Sequence, residues 1–354
     1  MKEKNEIKTS IGGQALIEGI MMRGPKMTAM AVRRANGEIL VDKWETDGEA
    51  KFTPLNEKEA EKFRLESEKR EKEGKKQGGF MRFAKKCSKI PFVRGVFNMG
   101  LSLALGYKCL MRASDIYIAD YPEPEEERIK REEKARKKGK DPDDTSLGFL
   151  GVISLLLGIL LAVGLFIILP SYTAKWIMQL FGIDYNMSVV RSAIEGVLKV
   201  IIIILYMWLA SLMKDIKRTF MYHGAEHMTI FCYEAGLDLT VENVKKQTRL
   251  HPRCGTSFII LTVLVSIIIG VFIPGALPTW LRSLIKILLL PITMGCSYEL
   301  IKLAGKYDNI ITRIFSFPGL LLQKITTKMP EDQMIECAIA AMKEVIPDDG
   351  SDKI

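Results

Sequence analysis

The sequence predicts an α+β membrane protein, and three observations predict it. Long runs free of charge, such as SLGFLGVISLLLGILLAVGLFIILP, alternate with stretches dense in Lys, Arg and Glu. A β-prone stretch near the N-terminus, MTAMAVRRANGEILVDKWE, is centred on Asn36-Gly37. All three histidines, His223, His227 and His251, fall in one polar loop between two apolar runs.

Averages alone do not make this assignment. The 354 residues are 48% hydrophobic and 26% charged, values a soluble protein also reaches. What matters is that charge crowds some stretches and is missing from others. The net charge of +9 is spread along the chain and accompanies no recognition motif. It reads as orientation and contact with anionic lipid, with no nucleic-acid partner expected. Six scattered cysteines form no compact disulfide framework and are expected to stay reduced. The start of the chain is polar, without the apolar h-region of a cleavable signal peptide.

In order, residues 1–54 are expected to be a small β-rich unit. Asn36-Gly37 predicts a hairpin with a type I′ turn, because both central residues of that turn need positive φ. Ahead of it, GGQALIEGIMMRGP carries Gly12, Gly13, Gly19, Gly24 and Pro25. This is a strand with turns at both ends, or a segment where backbone approaches a ligand closely. Residues 55–89 read as a charged helix or linker. Residues 90–120 hold an apolar stretch interrupted by Arg94, Asn98 and Lys108, too short to span, so an interfacial or partly embedded helix is expected. Residues 121–145 are a second charged linker.

Residues 146–301 are expected to be a four-span membrane domain with a cytoplasmic histidine loop at 214–257. The first span covers the uncharged run after Thr145, and the second lies near 193–213. In the second, Glu195 and Lys199 are four apart and positioned to pair. The third follows Gly255, and the fourth, near 283–301, contains Pro291, which should kink it, and Glu299. Lys214, Lys217 and Arg218 follow the second span; Lys245, Lys246, Arg249 and Arg253 precede the third. By the positive-inside rule the loop is cytoplasmic. Four spans then place the N- and C-termini there too, in a multi-pass protein of a bacterial cell membrane. Arg282 and Lys286, beside an outer loop, run against that count. Residues 302–354 form a cytoplasmic helical tail. Within it a helix starts at Pro330, Glu331 and Asp332 and carries an apolar stripe of Ile335, Ala338, Ile339 and Met342.

The histidine loop carries the chemistry. RTFMYHGAEHMTIFCYEAG has helical character, with Gly236 as its stop. His223 and His227 sit one turn apart on a helix, the geometry for two imidazole ligands on one metal. With Glu226 the string is H-x-x-E-H, the spacing of the inverted zinc-peptidase motif, in which the carboxylate is the general base. An N-cap at Thr240 starts a short helix that returns the chain to His251 and Cys254. Imidazole and thiolate are the usual zinc ligands. His223, His227, His251 and Cys254 are therefore the expected ligands of a divalent metal ion of the zinc type. Four ligands make a closed, structural site, with Glu226 only orienting a histidine. Three ligands, or three with Glu234 exchanged in, leave an open catalytic position.

Four segments carry a resemblance: GGQALIEGIMMRGP (12–25), YHGAEHMTIFCYEAG (222–236), LTVENVKKQTRLHPRCGTSF (239–258) and GLLLQKITTKMP (319–330). Together they resemble the YqhQ family of bacterial membrane proteins, labelled as predicted metal-dependent enzymes, over residues 11 to 345. The resemblance implies a metal but no substrate. It singles out Gln14, Glu18, Arg23, His223, Glu226, His227, His251, Arg253 and Cys254, with Gln323, Thr326 and Thr327. It implies that Glu18 or Arg23 reaches the metal loop, Arg23 by bidentate pairing with a carboxylate or phosphate.

Three functional readings follow. The first is a membrane metal-dependent hydrolase with Glu226 as catalytic base. The second is a non-catalytic scaffold with a structural metal and a membrane-protein partner. The third is a transporter or channel using Glu195, Lys199, Glu299 and the kink at Pro291.

Overall fold

The computed structural model describes residues 7–72, 87, 90–121, 149–184, 186–306 and 310–353. They form two compact units: Met1–Ala119, Leu205–Val265 and Pro291–Ile354 in the first, Asp120–Ile204 and Ser266–Leu290 in the second. The expected linker at 121–145 lies outside the described residues after Tyr121, as does most of 73–89. Residues Glu57–Lys72 form helix α1.

Unit 1 is built on an antiparallel sheet of β1 (Gly12–Leu16), β2 (Gly19–Arg23), β3 (Met27–Arg33) and β4 (Ile39–Glu45), paired in chain order. Pairing of Leu16 with Gly19 leaves Ile17 and Glu18 as the first turn, with Glu18 at φ 49°. Gly19 is required by close approach, because a Cβ there would lie 2.4 Å from the Ala31 carbonyl oxygen.

The connection between β3 and β4 differs from the expected type I′ turn. Arg33 pairs with Ile39, so five residues intervene, and only Gly37 among them has positive φ, at 87°. The Gly37 N–H donates to the Arg34 carbonyl at 3.0 Å, and the Arg34 N–H to the Glu38 carbonyl at 2.9 Å. A wider loop closed by one left-handed glycine carries the strand twist without asking Asn36 for positive φ.

Alternation along these strands serves two cores. Ile20, Met22, Ala29 and Ala31 pack with α6 (Lys214–Glu234) and α12 (Asp332–Lys343). Met21, Met30, Val32 and Trp44 pack instead with Cys109, Ala113 and Ile116 of α2 (Val93–Asp120). Each buried aliphatic side chain stabilises by about 1.5–3 kcal/mol. An antiparallel sheet covered on both faces reads as a nearly continuous apolar run. The expected stripe Ile335, Ala338, Ile339 and Met342 is part of the first core. The tail returns to the N-terminal segment, where Thr9 bridges Lys353 and Thr9 Oγ1 donates to Asp352 at 2.6 Å.

Local signals set the ends of the histidine loop. α6 ends in a Schellman motif: Gly236, at φ 64°, donates to the Tyr233 carbonyl, and the Leu237 N–H to that of Cys232. Thr240 Oγ1 accepts from the Asn243 N–H at 3.3 Å and caps α7 (Val241–Lys245). The chain then enters α8 (Gly255–Val271).

Unit 2 contains α3 (Phe149–Val163), a π-helical turn (Gly164–Ile168), α4 (Leu169–Leu180), most of α5 (Ser188–Ala210), the end of α8 and α9 (Thr279–Leu288). Its apolar residues point outward: Leu157, Leu160 and Leu161 are 64%, 66% and 70% exposed. Its charged Arg191 and Arg282 are buried. Apolar outside and charged inside is the pattern of a lipid-facing bundle.

Among the described residues two helices are long and apolar enough to cross a membrane, Leu156–Leu180 and Ser188–Ala210. A third is counted if α9 and α10 (Leu290–Lys306), bent by 53° at their break, are one span. Four spans were expected. The difference lies in α8, only 17 residues long, and in the break ahead of Pro291.

Candidate metal centre

α6 is buried almost continuously from Tyr222 to Glu234. His223 and His227 lie one turn apart on it with ring centroids 4.4 Å apart. The residue before α8, Cys254, completes a group in which one ligand atom from each of His223, His227 and Cys254 lies within 4.8 Å of the others.

Backbone carbonyls fix the ring tautomers. His223 Nδ1 is 2.9 Å from the Thr326 carbonyl oxygen, and His227 Nδ1 is 2.6 Å from that of Arg249. A carbonyl only accepts, so each Nδ1 carries the hydrogen and each Nε2 keeps its lone pair. Nδ1–H to carbonyl with Nε2 free is the usual orientation of metal-binding histidines. The free Nε2 of His223 lies 3.1 Å from Cys254 Sγ. Thr256 directs its N–H and its hydroxyl at the same sulfur, at 3.5 and 3.3 Å. The donor set, two imidazoles and one sulfur, fits a borderline-soft divalent ion.

His251, the fourth expected ligand, is not brought into this group. Its Nδ1 accepts from the Arg253 N–H at 3.3 Å, and its Nε2 faces Arg253 Nη2 at 3.4 Å and Glu234 Oε2 at 3.9 Å. Its ring lies against Phe231. Burial holds the His251 imidazole well below its ordinary pKa, with further lowering from His227, Arg253 and His223. Its backbone matters more to the cluster. Gln323, fully buried on α11 (Ile310–Thr326), accepts from the His251 N–H and donates to the His251 carbonyl, each at 2.7 Å. It also donates to Ser257 Oγ at 3.2 Å, so one amide holds the residues flanking Cys254.

Glu226 is buried beside the ligands but faces the sheet. Oε1 accepts from the Gly13 N–H of β1 at 3.0 Å, and Oε2 has no partner among the described residues. Burial raises its carboxyl pKa; His223 and the Gly13 N–H oppose that rise. An orphaned buried carboxylate oxygen beside the His–His–Cys group is compatible with a cation held there.

The other expected site residues are dispersed. Glu18 reaches the histidine loop at Arg218 and Tyr222, not at the His–His–Cys group itself. It pairs with Arg218 at 2.5 and 2.6 Å and accepts from Tyr222 at 3.2 Å, anchoring the strained first turn on α6. Arg23 donates to Ser102 Oγ at 3.3 Å. It lines a cavity of about 560 Å³ with Gly12, Gly13, Gln14 and Gly24. Glu234 accepts from the Thr9 N–H and from Arg253, which ties it to the N-terminal segment. Glu299 is paired by Arg94 and the Phe92 N–H. Thr327 Oγ1 bonds the Gln323 carbonyl at 2.7 Å. Thr256 and Arg249 were missed by sequence reasoning; Arg249 contributes only a backbone carbonyl, which leaves no trace in residue type. Gly13 belongs to the glycine segment read as a place of close backbone approach, and its N–H meets Glu226.

The fold and this cluster define a class: a membrane-associated α+β protein with a buried His–His–Cys group able to hold a metal ion. Residues 90–348 match the family described as "Protein of unknown function (DUF1385)". The chain is 33% identical over 344 residues to the uncharacterized protein YqhQ of Bacillus subtilis (strain 168), covering 97% of this chain and 94% of the relative. The chain belongs to the YqhQ family. No solved structure matches it.

Proposed function

We propose that this is a multi-pass membrane protein with a metal-dependent hydrolytic centre, in which His223, His227 and Cys254 hold a zinc-type ion. The observation that carries the reading is the three-ligand set. With His251 turned to Glu234 and Arg253, one coordination position stays free for chemistry. A divalent ion there would supply Lewis-acid activation of water and of a scissile carbonyl or phosphoryl group. The Nδ1–H bonds to Thr326 and Arg249 hold both rings in the ligating tautomer. Glu226, anchored at Oε1 by Gly13, keeps Oε2 to take up a proton. Burial raises this carboxyl, which strengthens it as a proton acceptor relative to a solvated carboxylate.

The test is Glu226→Gln in the purified full-length chain. Expected is unchanged metal content by elemental analysis, with loss of hydrolysis across a panel of ester, peptide and phosphoester probes cleaved by the wild type. Unchanged turnover sinks the base assignment. Loss of metal in the Gln variant argues for a purely structural role. That second reading, a scaffold with a structural metal and a protein partner, is favoured by one observation: a Glu226 oxygen already bonds Gly13 and ties α6 to β1.

Contacts within unit 1 support one shared side for both termini and the histidine loop, and the Lys and Arg flanking the loop favour the cytoplasm as that side. Thr9 bridges Lys353, so both ends of the described chain lie on one side of any membrane. α6 shares a core with the sheet, so the loop lies there too. The chain then crosses twice before α6 and an even number of times after it, which pairs α8 with the bent α9–α10 element as third and fourth spans. Arg282 and Lys286, which ran against the charge count, are held by carbonyls and by Glu195 inside unit 2 and do not act as loop charges.

A further inference from the structure

Unit 2 carries a charge imbalance that the metal centre does not use. On α5, Arg191, Glu195 and Lys199 repeat every four residues and share one face. On α9, Arg282 and Lys286 do the same. All five side chains are buried or nearly so: Arg282 is 0% exposed, and Lys286 keeps 10% of its side chain exposed. Four cations therefore share one buried carboxylate among the described residues.

Their neutral partners are spoken for. Arg282 donates to the carbonyls of Gly270 in the last turn of α8 and of Ile273 and Pro274 just beyond it. Arg191 donates to Thr279 Oγ1 at 2.9 Å and the Gly275 carbonyl at 3.4 Å. Lys286 takes Glu195 Oε2 and Ser171 Oγ, and Lys199 takes Ser266 Oγ at 3.2 Å. Carbonyls and hydroxyls solvate a cation without neutralising it. Arg282 Nε, Ser192 Oγ and Ser283 Oγ are buried with no partner among the described residues. Even if both lysines shed their protons, two guanidiniums, which stay charged, exceed one carboxylate. An uncompensated cation in a low-dielectric bundle is costly, and a bound counter-charge removes that cost.

We propose that Arg191, Lys199, Arg282 and Lys286 bind a phosphate-class anion within unit 2. Guanidinium groups suit phosphate oxygens, which accept several N–H bonds at once. The phosphate comes either from a lipid headgroup or from the aqueous phase.

The full-length chain in phosphatidylcholine nanodiscs separates the sources. Phosphatidylglycerol titrated into the discs, or inorganic phosphate added to discs without it, is read by the rise in Tm, with native mass spectrometry reporting retained lipid. A rise with phosphatidylglycerol and a retained molecule assigns a headgroup. A rise with inorganic phosphate alone assigns the free anion. In either case Lys199→Met should weaken the effect at least about tenfold, and Lys199→Arg should restore it. Ser266→Ala, which removes only the hydroxyl that places Lys199, serves if the Met variant does not fold, and should weaken the effect in the same direction. The proposal is overturned if neither probe shifts Tm, or if the variants respond as the wild type does.

Discussion

Gln323→Leu tests whether the cluster depends on a residue that cannot itself be a ligand. The Gln323 amide accepts from the His251 N–H and donates to the His251 carbonyl, both at 2.7 Å, and reaches Ser257 as well. Leucine has nearly the same volume, so the perturbation is polar and opens little space. It strands two backbone groups of a residue that is 5% exposed. Each orphaned buried group costs about 1–3 kcal/mol, so the expected destabilisation is about 2–6 kcal/mol. At roughly 2 °C per kcal/mol for a chain of this size, Tm falls on the order of 4–12 °C. The second effect is on metal. Cys254 follows His251 by three residues, and loosening that turn misplaces its sulfur. Residues supporting ligands typically cost 10–100-fold in metal affinity when replaced, so competition with a chromophoric chelator should show a Kd raised by about that factor. Gln323→Glu is the control that keeps the acceptor and loses the donor, and it should fall between the two. A Tm within 1 °C of wild type together with unchanged chelator competition would refute the reasoning.

Gly224→Ala puts a Cβ 2.1 Å from the Lys328 carbonyl oxygen. The helix-propensity gain of about 1 kcal/mol is outweighed by a clash that moves the neighbouring Thr326 carbonyl off His223, so both Tm and metal affinity should drop in thermal and chelator assays. Cys337 is fully buried and its thiol is pushed up to about 12, so it should not react with a maleimide at pH 7.5 until the chain unfolds. The same raised pKa makes stability present below the unfolded-state value near 9 and lost as pH rises from there towards about 12, by up to about 1.4 kcal/mol per pH unit; an alkaline melting series checks the slope. Arg23→Lys keeps the charge at the glycine-lined cavity but loses the planar fork. If that cavity seats a substrate carboxylate or phosphate, KM rises while metal content stays constant.

Much of unit 1 was legible because its signals are local. Gly236 ends a helix and Thr240 begins one because a left-handed C′ residue and a side-chain oxygen at the N-cap solve problems of adjacent backbone. The apolar stripe from Ile335 to Met342 needed only helical spacing. What was not legible depends on partners far along the chain. Asn36-Gly37 names the residues of a turn, but the β3–β4 register decides its length. Glu18 and Arg23 were expected at the metal loop; Glu18 meets that loop at Arg218 and Tyr222, 200 and 204 residues away, whereas Arg23 is taken by Ser102. Arg282 and Lys286 were read as charges beside an outer loop because a sequence does not show that both side chains are buried or nearly so. Charged residues set into apolar runs on α5 and α9 were themselves the signal that these side chains turn inward.

The string H-x-x-E-H reads as one site, but the helix that carries it has two working faces. At about 100° per residue, His227 lies about 40° to one side of His223 and Glu226 about 60° to the other. His223 and His227 therefore meet the segment from Arg249 to Cys254, while Glu226 turns about 100° from His227 towards β1 and the Gly13 N–H. That divergence is compatible with the base role proposed for Glu226. Such a base needs one oxygen fixed and one free, and Glu226 has Oε1 on a backbone N–H and Oε2 without a partner among the described residues. Gly13 makes this possible, since a Cβ at that position would stand 3.0 Å from Glu226 Cδ. A glycine in the N-terminal strand and a histidine pair more than two hundred residues later are thus parts of one arrangement. The sheet sets where the carboxylate stands, and the loop sets where the metal would.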